Sequence, residues 1–437
     1  MPGSKKYCRR FLLKSAAMVF APYVVRAQSV ARAKTLRIMR WKNFVPAYEK
    51  WFNEVFIRRW GEDNDTDVLV SNVGLGEIGQ RAEREIEARE GHDLVLFLSP
   101  KPSFEDHTID HRDIHQECVS RFGNAHGFVG KSNVNPRTGA YHGFVESFAP
   151  TLLTYRKDIW DNIGATPASW EDIRRAGRAA RLLHDAPVGI SLGPEHNAEH
   201  TLRAMMATFG SSVQDADNAP ALASPNTLEA LKFAKTLFEE AMFPGVADWR
   251  STANNLEVLA GNVSLTVDTM SIIRAAEAKA LPIEPDLALA PLPEGPLGRG
   301  GPAFATNTYI IWKFARNIDG AKQFLVDFTT AFGESLEHSG FQSMPSYPGS
   351  VPDLEDRLKT PQRPGRYDLL LDLPTSLTNL GYPGHSNAAT DEVLRQRIVS
   401  RMFRSVAVGE TSPEEAMANA AASIDPIFRK WRYAGKI

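Results

Sequence analysis

From Thr35 to Leu98, short apolar runs alternate with longer amphipathic stretches. TLRIMRW (Thr35–Trp41), DVLVSNV (Asp67–Val73) and DLVLFL (Asp93–Leu98) read as strands. The last is continuously apolar, which predicts burial on both faces. Between them, Phe44–Trp60 has apolar residues at helical spacing, and Glu77–Arg89 is a charged amphipathic helix. Strand, helix, strand, helix, strand predicts a parallel sheet built from βαβ units.

Further on, Gly143–Tyr155 is apolar and extended, and helices are expected over Pro225–Met242 and Ile318–Phe332. Ser169 with Asp172 three residues later is a capping-box pattern, and Ser412-Pro413-Glu414-Glu415 is a second helix start with proline at the first helical position. Asn262–Val267 and Thr308–Trp312 read as strands, and Pro282–Gly301, rich in Pro and Gly, as a linker. No internal repeat or low-complexity tract interrupts the pattern.

Composition adds bounds. A chain of 437 residues, 43% hydrophobic, holds more than one core of ordinary size, so two lobes are expected. The formal charge of -2 gives no reason to expect nucleic acid or an anionic membrane as partner. Lys5, Lys6, Arg9 and Arg10 precede a short apolar stretch, Ser15–Val25, too short to span a bilayer. Arg9-Arg10-Phe11-Leu12-Leu13-Lys14 resembles a twin-arginine export signal; an ordinary secretory signal is the alternative, and both lead to the periplasm. Cleavage is expected after Ala27, which removes Cys8 and leaves Cys118 with no intramolecular partner.

Three motifs suggest chemistry. Gly74-Leu75-Gly76-Glu77-Ile78-Gly79 has dinucleotide-fingerprint spacing, but it follows the second strand, and the next strand ends in Ser99-Pro100 with no acid for a ribose. A glycine-rich strand-to-helix turn is the expectation. His196-Asn197-Ala198-Glu199-His200 fits an inverted zinc-protease pattern, against a polar helix start facing a cleft. His107, His111 and His115 sit four apart near Glu105, Asp110 and Cys118; their charged surroundings favour a solvated surface segment over a metal site. No G-x-S-x-G elbow marks a nucleophile.

Spread-out landmarks resemble the family 1 extracellular solute-binding proteins, the maltose-binding-protein-like family. Gly91-His92-Asp93-Leu94-Val95, Tyr155-Arg156-Lys157-Asp158-Ile159 and Pro167-Ala168-Ser169-Trp170-Glu171-Asp172-Ile173 resemble its strand, turn and helix-start motifs. Leu259–Leu265, Gly300-Gly301 with the helix after Asn317, and Gly409–Ala416 follow its later pattern. The resemblance implies an α/β fold with two lobes, a type II-like periplasmic binding protein with hinge strands and an inter-lobe ligand cleft. It implies lobes of 34–145 with 291–328 and of 146–290 with 329–437. The crossings would fall near Val145–Ala149, Leu289–Pro293 and Phe328–Phe332.

The function implied is capture of a small polar solute, a carbohydrate or polyol, for the permease of an ABC importer, by a monomer without cofactor, metal or catalysis. The segment Asp268-Thr269-Met270-Ser271 lacks the tryptophan that sugar binders of this family often stack on a pyranose, which favours a monosaccharide, polyol or other polar solute over an oligosaccharide. Expected ligand contacts are Arg40, Trp41, Glu146, Glu195, His196, Asn197, Asp268, Tyr382, His385 and Asn387, at loop tips and strand ends facing the cleft. The alternatives are an exported oxidoreductase using NAD(P), from the glycine motif, and a metal-binding or metal-dependent hydrolytic protein, from the histidines.

Overall fold

The computed structural model describes residues 34–250, 252–302, 305–359 and 364–437. The expected export signal and its cleavage point lie outside the described residues. The strands are β1 (Lys34–Trp41), β2 (Thr66–Val73), β3 (Leu94–Phe97), β4 (Phe144–Ala149), β5 (Leu152–Arg156), β6 (Leu265–Asp268), β7 (Leu287–Ala290), β8 (Gly301–Pro302), β9 (Ala305–Ile311), β10 (Met344–Pro345) and β11 (Leu377–Thr378). A six-stranded sheet runs β10-β4-β9-β3-β1-β2, a three-stranded sheet β6-β5-β7, and β8 pairs with β11.

The apolar run of β3 is buried at every residue, in the interior of the larger sheet. β1 pairs in parallel with β2 and β3, as the βαβ reading requires. The sheet is not parallel throughout, however: β9 runs antiparallel to both β3 and β4, and β10 antiparallel to β4. Asp93, just before β3, ties this arrangement together. Its buried carboxylate accepts from the backbone N–H of Arg37 at 2.8 Å, Arg316 at 2.7 Å and Asn317 at 2.9 Å. One side chain thus joins β1, β3 and the start of the helix Ile318–Thr330.

Gly143–Tyr155, read as one extended segment, is two strands in different sheets; the chain changes sheet between Ala149 and Leu152. It returns after β7, a strand within the segment expected to be wholly linker, because Leu287–Ala290 is apolar enough to pair with β5. Each sheet has its own hydrophobic core, and a third cluster around Val145, Phe148, Leu152, Met270, Phe332 and Leu336 packs where the chain changes sheet. The expected helix Phe44–Trp60 is interrupted by a wide turn, Trp51–Phe56, which carries Trp51, Phe52 and Phe56 inward. The capping box at Ser169 and the cap at Ser412 are both present. Among the described residues no helix is long and apolar enough to cross a membrane.

Candidate functional site

Parallel strands share one C-terminal edge, and in open α/β sheets ligands bind beyond that edge. Here a cleft of about 480 Å³ opens there. One wall is the glycine turn after β2, with Leu75, Gly76, Ile78 and Gly79; a second is the segment after β3, with Ser99, Lys101 and Phe104. The facing wall is the start of the helix His196–Thr208, with Pro194, Glu195 and His196, flanked by Arg250, Arg395 and Arg397. A Cβ at Gly76 or Gly79 would meet no atom within 4 Å, so both glycines leave the turn's backbone open.

Glu195 is the N-cap of its helix. Its carboxylate accepts from the N–H groups of Asn197 and Ala198, both at 2.7 Å. Burial pushes its pKa up, against the pull of those amides. Asn197 donates through Nδ2 to the Val267 carbonyl at 3.0 Å and accepts from Thr201 Oγ1, which locks its amide. Asp268, at the end of β6, accepts from Thr269 N–H at 2.6 Å and from Asn254 Nδ2. Burial raises its pKa to about 6, and the nearby Glu195 adds to the rise. Glu195, His196, Asn197 and Asp268 are therefore brought together.

Arg40, Trp41 and Glu146 form a separate group, and none of them lines the cleft. The Arg40 guanidinium lies 4.1 Å from the centroid of Phe52 and 5.3 Å from that of Tyr48. Its Nη1 is 2.9 Å from Glu49 Oε1, an ion pair off the N–H direction, so none of its nitrogens has a directed acceptor. Trp41 packs on Phe44 at 5.4 Å between ring centroids, inside the core of the larger sheet. Glu146 sits at a register shift of β4 against β9 and is fully buried. Burial pushes its pKa up to about 8, opposed by a Ser147 hydrogen bond and by Arg40, so the carboxyl is held neutral at pH 7.

Tyr382, His385 and Asn387 lie on the loop before the helix Ala388–Arg395. Tyr382 is half exposed, beside a space of about 20 Å³ that Arg203 also lines. Asn387 caps the helix in a capping box with Thr390 and donates to Gln214 Oε1 at 2.7 Å. Gln214 Nε2 in turn donates to the His385 carbonyl at 2.9 Å. The ten expected contacts thus fall into three groups, one of which borders the cleft.

The histidine segment corrects an expectation. His107 ends a 3-10 turn and His111 precedes the helix Arg112–Phe122, so the three imidazoles share no helical face. His111 and His115 are buried rather than solvated. His111 Nε2 accepts from Ile311 N–H at 3.0 Å, and its Nδ1 donates to the Tyr141 carbonyl at 3.0 Å. Burial lowers the pKa of His111 to about 4 and that of His115 to about 3. The rings of His196 and His200 are 4.4 Å apart, while Glu199 accepts from Ser400 N–H and lies 3.5 Å from Arg203. Among the described residues no three His, Cys, Asp or Glu side chains are grouped to hold a metal.

Sequence reasoning missed Ser99, Lys101, Arg250, Arg395 and Arg397. Ser99 and Lys101 were accessible to the strand-end rule applied to β3. The arginines carry no local signal, because residues distant in sequence converge only in the fold.

The family described as bacterial extracellular solute-binding protein matches residues 129–331. A protein of Brucella abortus described as a binding protein is 24% identical over 302 residues, 67% of this chain and 69% of its own length. Among solved structures, maltose-bound MalE3 of T. maritima superposes with a TM-score of 0.75 at 17% identity, over 90% of this chain and 99% of that one. A solute-binding protein of Agrobacterium radiobacter K84 in complex with ribitol gives 0.72 at 15%, over 90% and 98%. A sugar transporter of Arthrobacter chlorophenolicus A6 with bound laminaribiose gives 0.74 at 14%, over 90% and 99%. The two-lobe binding-protein fold is common to all three.

Proposed function

From the match of residues 129–331 to the bacterial extracellular solute-binding proteins, we propose that this chain captures a small hydroxylated solute, a carbohydrate or polyol, in the cleft beyond β2 and β3. In this reading the chain binds its solute without chemistry and delivers it to the permease of an ABC transporter. The observation that carries the reading is the cleft itself. Its volume falls in the range of small-molecule sites, roughly 300–1,000 Å³. Its walls come from two sheets with separate cores, which suits a clamp of 34–145 with 291–328 against 146–290 with 329–437.

Glu195 accepts from solute hydroxyls as well as from its helix amides, since a carboxylate has about four lone-pair sites. His196, Asn197 and Asp268 orient the solute or hold Glu195, and Ser99 and Lys101 meet it from the opposite wall. The solved relatives named above, with maltose, ribitol and laminaribiose, support a hydroxylated solute. In this reading the chain leaves the cytoplasm through the twin-arginine route, is cleaved after Ala27, and works in the periplasm as a monomer without cofactor.

The test is mass spectrometry of the solute retained on purification, followed by thermal shifts with maltose, ribitol and neutral monosaccharides. A bound solute at about a hundredfold excess over Kd adds about 2.7 kcal/mol of apparent stability, so at least one hydroxylated compound should raise Tm. A rise with amino acids, peptides or metal ions alone would overturn the reading.

A further inference from the structure

The charges along the cleft do not balance. Four cations line it, Lys101, Arg250, Arg395 and Arg397, against two carboxylates, Glu83 and Glu195. Four of these six charges, Lys101, Arg395, Glu83 and Glu195, are satisfied by protein partners of the opposite kind. Lys101 Nζ lies 2.9 Å from the buried Asp391 carboxylate, and Arg395 Nη1 lies 3.1 Å from Glu83 Oε1. Glu195 is held by two helix amides.

Arg250 and Arg397 remain. Among the described residues neither has a carboxylate within 4 Å, and Glu199 and Glu195 act on Arg397 only from farther away; Arg397 donates from Nη1 to the Leu394 carbonyl at 3.1 Å, which leaves most of its five N–H donors without a hydrogen-bonded acceptor. The backbone at Arg397 has φ +55°, in the left-handed region that glycine or asparagine fills most easily between two helices. An arginine there holds a strained backbone that a glycine would relieve. Its side chain is delivered to the cleft beside Glu195 and His196.

A neutral polyol can meet Glu195 but gives Arg250 and Arg397 no opposite charge. Hydroxyls are weak acceptors for guanidinium forks, and lobes closing over an unpaired cation lose its hydration without return. A carboxylate or phosphate presents two coplanar oxygens that match the fork, with charge-assisted bonds about twice as strong as neutral ones. The open backbone of the glycine turn, Gly76 to Gly79, lies on the wall opposite.

We propose that the solute is anionic: a hydroxylated compound whose carboxylate or phosphate is bound by Arg397 and Arg250 while its hydroxyls meet Glu195. This rests on the cleft being the solute site, as above.

The test uses matched probes in calorimetric titration and thermal shift: glucose against glucuronate and glucose 6-phosphate, glycerol against glycerol 3-phosphate, with glutamate and inorganic phosphate as anions without a polyol. At least one acidic polyol should bind about tenfold or more tighter than its neutral partner, and more weakly as NaCl rises from about 20 mM to about 500 mM. The carboxylate and phosphate arms identify the anion. Arg397→Gln and Arg250→Gln should each remove about tenfold of that affinity, with Arg397→Lys intermediate. Apo melts monitor folding, and Arg250, being exposed, can be replaced without disturbing a core. Equal affinity for glucose and glucuronate, unchanged acid affinity in the Arg250→Gln, Arg397→Gln double variant, or silence of every acidic probe overturns the anionic assignment and leaves the hydroxylated-solute reading standing. Tighter binding of glutamate or phosphate than of any polyol does the reverse.

Discussion

Glu146 is the residue whose chemistry is most altered by its surroundings. Its pKa, about 8 in the folded chain against 4.5 when unfolded, means that the folded state holds a proton the unfolded state releases between those values. Stability from this group is therefore full below about pH 4.5 and is lost as pH rises toward 8, by an amount on the order of 3–5 kcal/mol. Glu146→Gln should match the wild type near pH 5 and exceed it in denaturant melts near pH 9; equal melts at both would show the carboxyl ionised and paired. Trp41 is 3% exposed in the core of the larger sheet. Trp41→Ala should lower apo stability by about 3–5 kcal/mol, measured by urea titration, which separates a packing role from a wall of the cleft. Cys118 is buried, and that burial pushes its thiol pKa up to about 12. A thiol reagent should label it only at the rate of global unfolding; rapid labelling of the native chain would show a local opening.

Among elements, the junctions contribute more than the ends. Ser169→Ala removes one half of a capping box and should cost about 1 kcal/mol in a thermal or urea melt. Asp93→Ala removes the acceptor of three backbone N–H groups, one in β1 and two at the start of the helix Ile318–Thr330, each worth about 1–3 kcal/mol when left unsatisfied, so a loss of about 3–5 kcal/mol is expected. Comparable losses for the two variants would mean that water replaces the Asp93 carboxylate. The same contrast explains what periodicity could read. Caps, the apolar β3 and the amphipathic Glu77–Arg89 are local patterns, and each appears close to its expected place, the helix as Ile78–Ala88. The direction of β9 is not local: it depends on the chain returning from the second sheet, so an antiparallel partner for β3 could not be read from spacing.

At the scale of the molecule, two ion pairs bridge the cleft: Lys101 with Asp391, buried, and Arg395 with Glu83, exposed. An exposed pair contributes about 0–1 kcal/mol, whereas breaking a buried one leaves an uncompensated charge. Asp391→Asn should therefore favour the open arrangement, with a larger radius of gyration in small-angle scattering and weaker solute binding. An unchanged radius and affinity would show that the lobes are held by packing rather than by this pair. In the wild type, saturating solute should reduce the radius of gyration, as hinge closure requires.

The sequence by itself determined the fold class, the helix starts and the apolar strands, because these follow from residue periodicity and side-chain-to-backbone bonds within a few residues. It also pointed to Glu195 and His196, which the structure places on the wall of the cleft, since a polar segment opening a helix after an apolar run is a local signal. Tertiary structure alone decided the rest. It drew Arg40, Trp41 and Glu146 into the interior, where desolvation keeps Glu146 neutral, and committed Asn387 to a helix cap. It gathered Lys101, Arg250 and Arg397, far apart along the chain, around one space. Charge imbalance in a cleft is a sum over distant residues, and no window of sequence contains it.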